Sequence, residues 1–534
     1  MSKKWINYFP YSQPRDEQKN AINFALDNFI DNDKRYVIVE AGTGVGKSAI
    51  GFTVAQYLVD NSKNDDVFTA AAYYLTTQKL LQAQYMRDFQ KKGMLSLQSS
   101  SNYRCKYYKT KTCQEARREL KASQDQRFKS TCASSCHYVT DKTAFIDGYH
   151  GVTNFPYFLH EVNLAGNLPP RQVMVIDECH NVELEMSKFV EVSVTEYFSK
   201  KMLKLTTAGL TSQYKVINWI KKDYMPKLTA VRAQMTKMLE STGLKSRLSE
   251  FVALERRWAM IDSHWSKLDR FLSLYNKDNW VMNIIDSPRG KKFEFKPIDI
   301  APFTEEFLFK RAKKVFMMSA TIMDRQAFCR VLGIPESETA FITIQSPFSI
   351  ENRPIYAHPI AKMGAKDIDR GLPILAKAVE AILDQHASDK GIIHCHSYKI
   401  ANYLKNNIRS KRLLTHDSSD RDKVLAYHRT DPRPTVLLSP SMSEGVDLKG
   451  DASRFQIICK IPYPYLGDKL VKKRMHKWKW WYPLQTAKTI VQSVGRSIRN
   501  EDDHAVTYIL DAGWDYFFQK NKAIFPNDFK KAIK

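Results

Sequence analysis

Short β-branched runs, separated by stretches of helical period, recur along this chain. Tyr36-Val-Ile-Val-Glu40 is apolar and continuous enough for a buried strand, and Ala49 to Val59 after it reads as a helix. Residues 69–89 repeat the pattern: a strand, Thr76-Thr77-Gln78, then a helix. VMVIDECH at 173–180 reads as a buried strand ending in two carboxylates. VFMMSAT at 315–321 reads as one ending in small hydroxyl residues. Further strands are predicted at 391–396, 435–440, 455–460 and 505–510, with helices between them. This alternation defines an α/β chain with mostly parallel sheets. From about 184 to 280 the period changes. MLKLTTAGL, VINWIKKDYMPKL and LERRWAMIDSHWSKLDRFLSLY carry apolar residues at i, i+3, i+4 and i+7, which predicts an inserted helical domain. Trp219, Trp258 and Trp265 are assigned to its core rather than to base stacking.

Composition changes that picture in one respect. The 534 residues suggest roughly three or four domains of about 150 residues each. Hydrophobic residues at 43% and charged residues at 26% are ordinary for a globular protein, but a net charge of +25 is not. That excess argues for a polyanionic partner, nucleic acid before membrane. No apolar run approaches the ~20 residues of a membrane span, and MSKKWINYFPYSQPRDEQ lacks the apolar core of a secretory signal. Cys179, Cys329, Cys395 and Cys459 are scattered, a usage that fits a reducing, cytoplasmic compartment.

The chemistry concentrates at strand ends. AGTGVGKS at 41–48 lies between a predicted strand and a predicted helix, the setting in which a glycine-rich loop cradles phosphates. Gly42, Gly44 and Gly46 let backbone N–H groups converge on phosphate oxygens. Lys47 reaches the β- and γ-phosphates, and Ser48 offers a hydroxyl to Mg²⁺. Asp177 would hold Mg²⁺ through water, while Glu178 orients and deprotonates an attacking water. His180 could link the nucleotide to another part of the site. Arg496 and Arg499 share one face if they lie on a helix, and could clamp the charge on a γ-phosphoryl group in transit. Gln18 either reads an adenine edge or starts a solvated helix.

Between the two nucleotide motifs, residues 91–130 carry eleven Lys/Arg against three acidic residues, interleaved with Tyr103, Tyr107, Tyr108 and Phe128. This suits single-stranded nucleic acid or a solvated face. Cys105, Cys113, Cys132 and Cys136 fall there within 32 residues. Four thiolates point to a metal, and their spacing leaves iron–sulfur and zinc open. His137 is read as a bystander. KKRMHKWKWWYPL near 472–484 is either a nucleic-acid backbone contact or a packed connector. His394-Cys395-His396 is read as a strand end, and His416-Asp417 lacks the companion histidines of a nuclease.

AGTGVGKS, TTQ, DECH, SAT, SEGVD and QSVGRSIR follow the order of superfamily 2 helicase motifs. With the four-cysteine segment, VTNFPYFL, QSPF and KIPYPYLGD, the chain resembles the XPD/DinG group of iron–sulfur helicases. The resemblance implies two RecA-like parallel-sheet motor domains with ATP between them. It places motor domain 1 at 1–95, 149–183 and 284–333, an Fe–S cluster domain at 96–148, a helical arch at 184–283 and motor domain 2 at 334–534. It implies 5′→3′ movement on single-stranded DNA and action on forked DNA, by a monomer. An RNA or RNA–DNA hybrid helicase and an ATP-switched clamp are the alternatives. Carried over residue by residue, the nucleotide site is Gln18, Gly42, Thr43, Gly44, Gly46, Lys47, Ser48, Asp177, Glu178, Gly445, Asp447, Arg496 and Arg499. Thr76 and Thr77 would touch DNA, and His180 and Thr321 would couple it to hydrolysis. The resemblance also selects [4Fe–4S] as the group held by Cys105, Cys113, Cys132 and Cys136. Cys179 stands where the commoner DEAH form has alanine.

Overall fold

Two parallel sheets organise the computed structural model, which describes residues 4–534 except 43, 64, 418, 441–447, 449, 496 and 498–502. The strands, in chain order, are β1 (Tyr36–Ala41), β2 (Thr69–Thr76), β3 (Met94–Ser96), β4 (His150–Asn154), β5 (Arg171–Asp177), β6 (Val192–Thr195), β7 (Trp280–Ser287), β8 (Gly290–Pro297), β9 (Ala312–Ser319), β10 (Thr339–Ile344), β11 (Ile355–Ala361), β12 (Gly391–His394), β13 (Leu413–Thr415), β14 (Val436–Ser439), β15 (Phe455–Ile458) and β16 (Val506–Asp511). Among the described residues the first sheet has the order β10-β1-β9-β5-β2-β4-β3 and the second β11-β16-β15-β12-β14-β13. Every pairing in both is parallel. Parallel pairing explains the continuous apolar runs, because helices cover both faces. All seven residues of β5 are buried.

The helix Lys47–Asp60 shows how tightly that cover fits. Its residues Ala49 to Ala55 are all buried. Gly51 sits mid-helix, where glycine costs about 1 kcal/mol relative to alanine. A methyl group there would come within 2.7 Å of Met318 Cε and 3.0 Å of Val175 Cγ1, so glycine allows the helix to lie directly on β5 and β9.

The 184–280 stretch is not wholly helical. β6, β7 and β8 form a separate antiparallel sheet of order β6-β8-β7 beside the helices Met225–Glu240 and Leu248–Leu274. The β7–β8 hairpin turns at Pro288-Arg289, and Gly290 takes φ +96. Trp219, Trp258 and Trp265 are half-buried. Trp258 donates to Thr236 and Trp265 to Thr229, each at 2.9 Å.

The cysteine-bearing segment enters after β3 and leaves before β4, two neighbours at the sheet's edge. Its aromatics pack on one another: Phe128 is fully buried, with Tyr107 and Tyr108 at centroid distances of 5.1 and 4.9 Å. They are the insert's own core. The insert meets the long helix Leu248–Leu274 at Glu255, which pairs with Arg118 at 3.2 Å and Lys121 at 2.5 Å.

Its last helix, His137–Asp147, is tied to the sheet by Arg171, the first residue of β5. This guanidinium is fully buried without a carboxylate partner among the described residues. It donates to the carbonyls of Ala72 (2.9 Å), Phe145 and Ile146 (3.3 Å), and lies 4.2 Å from the Tyr73 ring centroid. The Phe145 and Ile146 carbonyls are at the negative end of the helix, which favours a cation.

His150 and His428 are buried, and that burial pushes each imidazole down to about 4. Both stay neutral in the fold but bind protons once unfolded, so stability is full above the ordinary histidine range and is lost as pH falls towards 4. His264 and His396 are held down to about 4 in the same way, so a urea midpoint followed from pH 7 to pH 4.5 should fall, with about four protons taken up by these imidazoles on unfolding near pH 5.

Candidate nucleotide site

The loop after β1 is built for close backbone approach. Gly44 and Gly46 take φ +84 and +82, which glycine adopts without cost. Gly46 is the N-cap of the helix that starts at Lys47. A methyl group on Gly42 would come within 2.8 Å of Ser346 Cβ, and one on Gly44 would overlap the Phe348 ring at 2.0 Å. The segment after β10 therefore lies directly on this loop. Lys47 Nζ donates to the Ala41 carbonyl at 3.3 Å, curled back over the turn.

Two residues before β1 brace the loop from the other side. Arg15 Nη2 donates to the Gly44 carbonyl at 2.6 Å. Gln18 is buried, its Oε1 accepts the Arg15 N–H at 2.9 Å, and its Nε2 approaches Gly46. Its carboxamide caps a helix and supports the phosphate loop.

Asp177 ends β5, buried, with Oδ2 accepting from Tyr85 at 3.2 Å and Oδ1 from the Glu178 N–H at 2.9 Å. Burial, and then the charge of Glu178, push its carboxyl up to about 6, with Lys47 pulling the other way. A cation between these groups would restore the carboxylate. Glu178 has φ +51, a left-handed conformation costly for a non-glycine residue and typical of functional sites.

From Glu178 a polar chain runs to the second sheet's helices. Its carboxylate lies 3.2 Å from His180 Nδ1, which is 2.7 Å from Ser319 Oγ. Ser319 accepts the Thr321 N–H at 3.2 Å, and Thr321 Oγ1 accepts from Gln492 Nε2 at 3.1 Å. Lys488 donates to the His180 carbonyl at 3.2 Å. Lys488 and Gln492 both lie on the helix Trp481–Val494, which leads into Arg496.

Glu40 fixes the turn that carries Thr321. One of its carboxylate oxygens accepts the N–H groups of Ile322 and Met323, both at 2.7 Å, and the other accepts from Thr343 at 3.3 Å. Sequence reasoning passed over Glu40, although a carboxylate ending an apolar strand was its signal. It also missed Tyr85, Ser319, Lys488 and Gln492 as linking residues. Thr76 ends β2 and Thr77 follows it, just past the last register pair with β5, Leu75–Ile176. Thr76 Oγ1 donates to the Gln78 carbonyl at 3.3 Å, and Thr77 Oγ1 is buried without a hydrogen-bond partner. Thr43, Gly445, Asp447, Arg496 and Arg499 lie outside the described residues.

The four clustered cysteines come near one another. Cys113 Sγ is 3.7 Å from Cys136 Sγ, close to the ~3.8 Å that two thiolates at ~2.3 Å from one tetrahedral ion would show. Cys105 Sγ accepts the Tyr108 N–H at 3.3 Å, and Cys105 and Cys132 pack with Ala116 and Phe128. Burial and the neighbouring Cys136 push the Cys113 thiol up to about 12, the response of thiols crowded together away from water. Among the described residues, no group of three or more His, Cys, Asp or Glu is arranged to hold a single ion. The donor set suits a soft, thiolate-bound centre; the 3.7 Å pair has the spacing of two ligands on one ion, whereas the thiolates of a [4Fe–4S] cluster each bind a different iron and stand farther apart.

Comparison with known proteins follows the same division. A family model for the helicase C-terminal domain matches residues 381–531, and one for the res subunit of type III restriction enzymes matches 11–209. The chain is 25% identical over 280 residues to the ATP-dependent DNA helicase DinG of Photobacterium profundum, covering 48% of this chain and 39% of that protein. It is 20% identical over 425 residues to the ATP-dependent DNA helicase YoaA of Escherichia coli, covering 70% of this chain and 66% of that protein. For YoaA of Haemophilus influenzae the share of the relative is 30%, so the chain spans only part of the length of these curated relatives. A solved XPD helicase structure superposes with a TM-score of 0.63 at 16% identity, over 96% of this chain and 99% of that one. Xpd4 of S. tokodaii gives 0.59 at 14% identity, over 97% and 99%. The fold is thus that of a two-sheet, RecA-like protein, as in these solved structures. In sequence the chain is similar to ATP-dependent DNA helicases of the DinG and YoaA kind.

Proposed function

We propose that this chain is an ATP-dependent DNA helicase that moves 5′→3′ along single-stranded DNA. The observation that carries the reading is the polar chain from Glu178 through His180, Ser319 and Thr321 to Gln492. A strained carboxylate beside a phosphate loop is thereby linked to the second domain, so that a change at the nucleotide is felt across the cleft. In this reading the loop from Gly42 through Thr43, Gly44 and Gly46 holds the phosphates with Lys47. Ser48 and Asp177 hold Mg²⁺, Glu178 takes the proton of the attacking water, and Arg496 and Arg499 neutralise the phosphoryl group in transit. Gly445 and Asp447 meet the nucleotide from the second domain. Thr76 and Thr77 touch the DNA backbone, while His180 and Thr321 transmit the result.

We assign residues 96–148 as a cluster domain in which Cys105, Cys113, Cys132 and Cys136 would hold [4Fe–4S], and 184–283 as the arch. When bound, the cluster supplies a rigid, covalently linked core to a small insert. The chain's own part is to bring the thiols together and to offset their charge with Arg117, which lowers the Cys113 thiol's affinity for protons. Replacing Cys113 with serine should remove the visible absorbance of the purified protein and its bound iron. A colourless wild type with stoichiometric zinc would overturn the assignment.

Strand displacement on duplexes with a 5′ or a 3′ single-stranded tail tests the motor reading, with Lys47→Ala as the blank. Unwinding from the 5′ tail alone is expected. Unwinding from the 3′ tail alone would reverse the polarity, and DNA-stimulated ATPase without unwinding would favour a translocating clamp.

A further inference from the structure

The basic, aromatic segment that the motor reading leaves unused is resolved by the structure into two sets of cations. The helix Lys469–Lys477 has an N-cap at Asp468, whose Oδ1 accepts the Leu470 N–H at 2.7 Å and an Asn283 amide N–H at 3.3 Å. Three of its cations are struts. Arg474 is buried, pairs with Glu183 and donates to the Ile298 carbonyl at 2.8 Å. Lys477 pairs with Asp299 at 2.8 Å, and Lys469 donates to the Met282 carbonyl at 3.3 Å. These bonds pull the helix against the 184–300 segment.

The other set is Lys472 and Lys473, with His476 beside them, its Nδ1–H donating to the Lys472 carbonyl at 2.6 Å. Lys472, Lys473 and His476 are exposed, and among the described residues neither lysine has an ion-pair partner. With Lys469 they line one wall of a groove of about 580 Å³, whose other wall includes Gln213 and Met282. No carboxylate lines it. Positions 469, 472, 473 and 476 share one helix face and span roughly 10 Å along the axis.

We infer that this groove, between the helical insert and the helix Lys469–Lys477, holds the phosphate backbone of single-stranded nucleic acid outside the motor cleft. Charge selects the occupant: unpaired cations with no competing acid favour a polyanion. No Phe, Tyr or Trp lines the groove, and the cations lining it make the contact one to the backbone, indifferent to base identity. The two walls are bonded together at Met282 and Asn283, so the groove is pre-formed, and the single strand on which the proposed motor moves is its occupant. The inference rests on the nucleic-acid reading above and adds to it a surface, a strand and a mode of contact.

The test is fluorescence anisotropy of labelled oligothymidylate and of a blunt duplex across a salt series. It compares wild type, Lys472→Glu/Lys473→Glu and a control, Lys520→Glu/Lys522→Glu, which makes the same change in net charge on a distant helix. The groove pair should weaken single-strand binding by at least tenfold at low salt. It should also reduce the slope of log affinity against log salt by about 1.4, roughly 0.7 for each phosphate no longer neutralised. Duplex binding and ATP turnover without nucleic acid should be unchanged. A groove pair no different from the control, or a loss seen only with duplex, would overturn the inference and leave the motor reading intact. Failure of the wild type to bind any nucleic acid would overturn the functional reading, and this inference with it.

Discussion

Glu178→Gln should keep ATP binding and lose turnover by about 10²- to 10⁴-fold, the range for removal of a positioned general base. The geometry explains why so small a change is so costly. Glu178 occupies a left-handed conformation at φ +51, and its carboxylate sits 3.2 Å from His180 Nδ1. Glutamine retains the volume and the acceptor oxygen but cannot take a proton. Lys47→Ala should lose both turnover and tight nucleotide binding, because the ammonium is the mobile charge of the phosphate loop. Equilibrium nucleotide binding and steady-state phosphate release, measured on both variants, separate these effects. Wild-type hydrolysis in either would overturn the site.

The second large effect is structural. Arg171→Ala should destabilise the cysteine-bearing insert by about 3 kcal/mol or more, because buried carbonyls left without their donor cost about 1–3 kcal/mol each. Three carbonyls, those of Ala72, Phe145 and Ile146, lose their donor at once. Arg171→Met should cost less, since it fills the space and removes a desolvated charge, yet it too leaves those carbonyls unpaired. Hydrogen exchange should locate the loss in the helix His137–Asp147. Uniform loss of protection over both sheets would place Arg171 in the general core instead.

The parallel sheets were legible because a strand buried on both faces must be apolar throughout, and β1, β5, β9, β12, β14, β15 and β16 largely obey this, whereas the half-exposed β13 was not predicted. Loop chemistry was legible for a similar reason: AGTGVGKS allows few backbone geometries, and those it allows converge on phosphate. The antiparallel sheet β6-β8-β7 was hidden because its hairpin follows a long helical period; the alternation of Lys292, Glu294 and Lys296 with Phe293 and Phe295 in β8 was its signal. The links of the polar chain were hidden for another reason. Ser319, Gln492 and Lys488 acquire their roles only from partners up to 308 residues distant in sequence. The aromatic residues between the cysteines looked like stacking platforms, but a small insert has little else from which to build a core.

The Phe348 ring rests directly on Gly44 of the phosphate loop. Phe348 belongs to the stretch between β10 and β11, the connection between the two sheets. In the motor reading proposed above, nucleotide entering the loop presses on this connection through a single phenyl ring. Phe348→Ala should therefore raise ATP hydrolysis relative to strand displacement, with both measured on the same preparation.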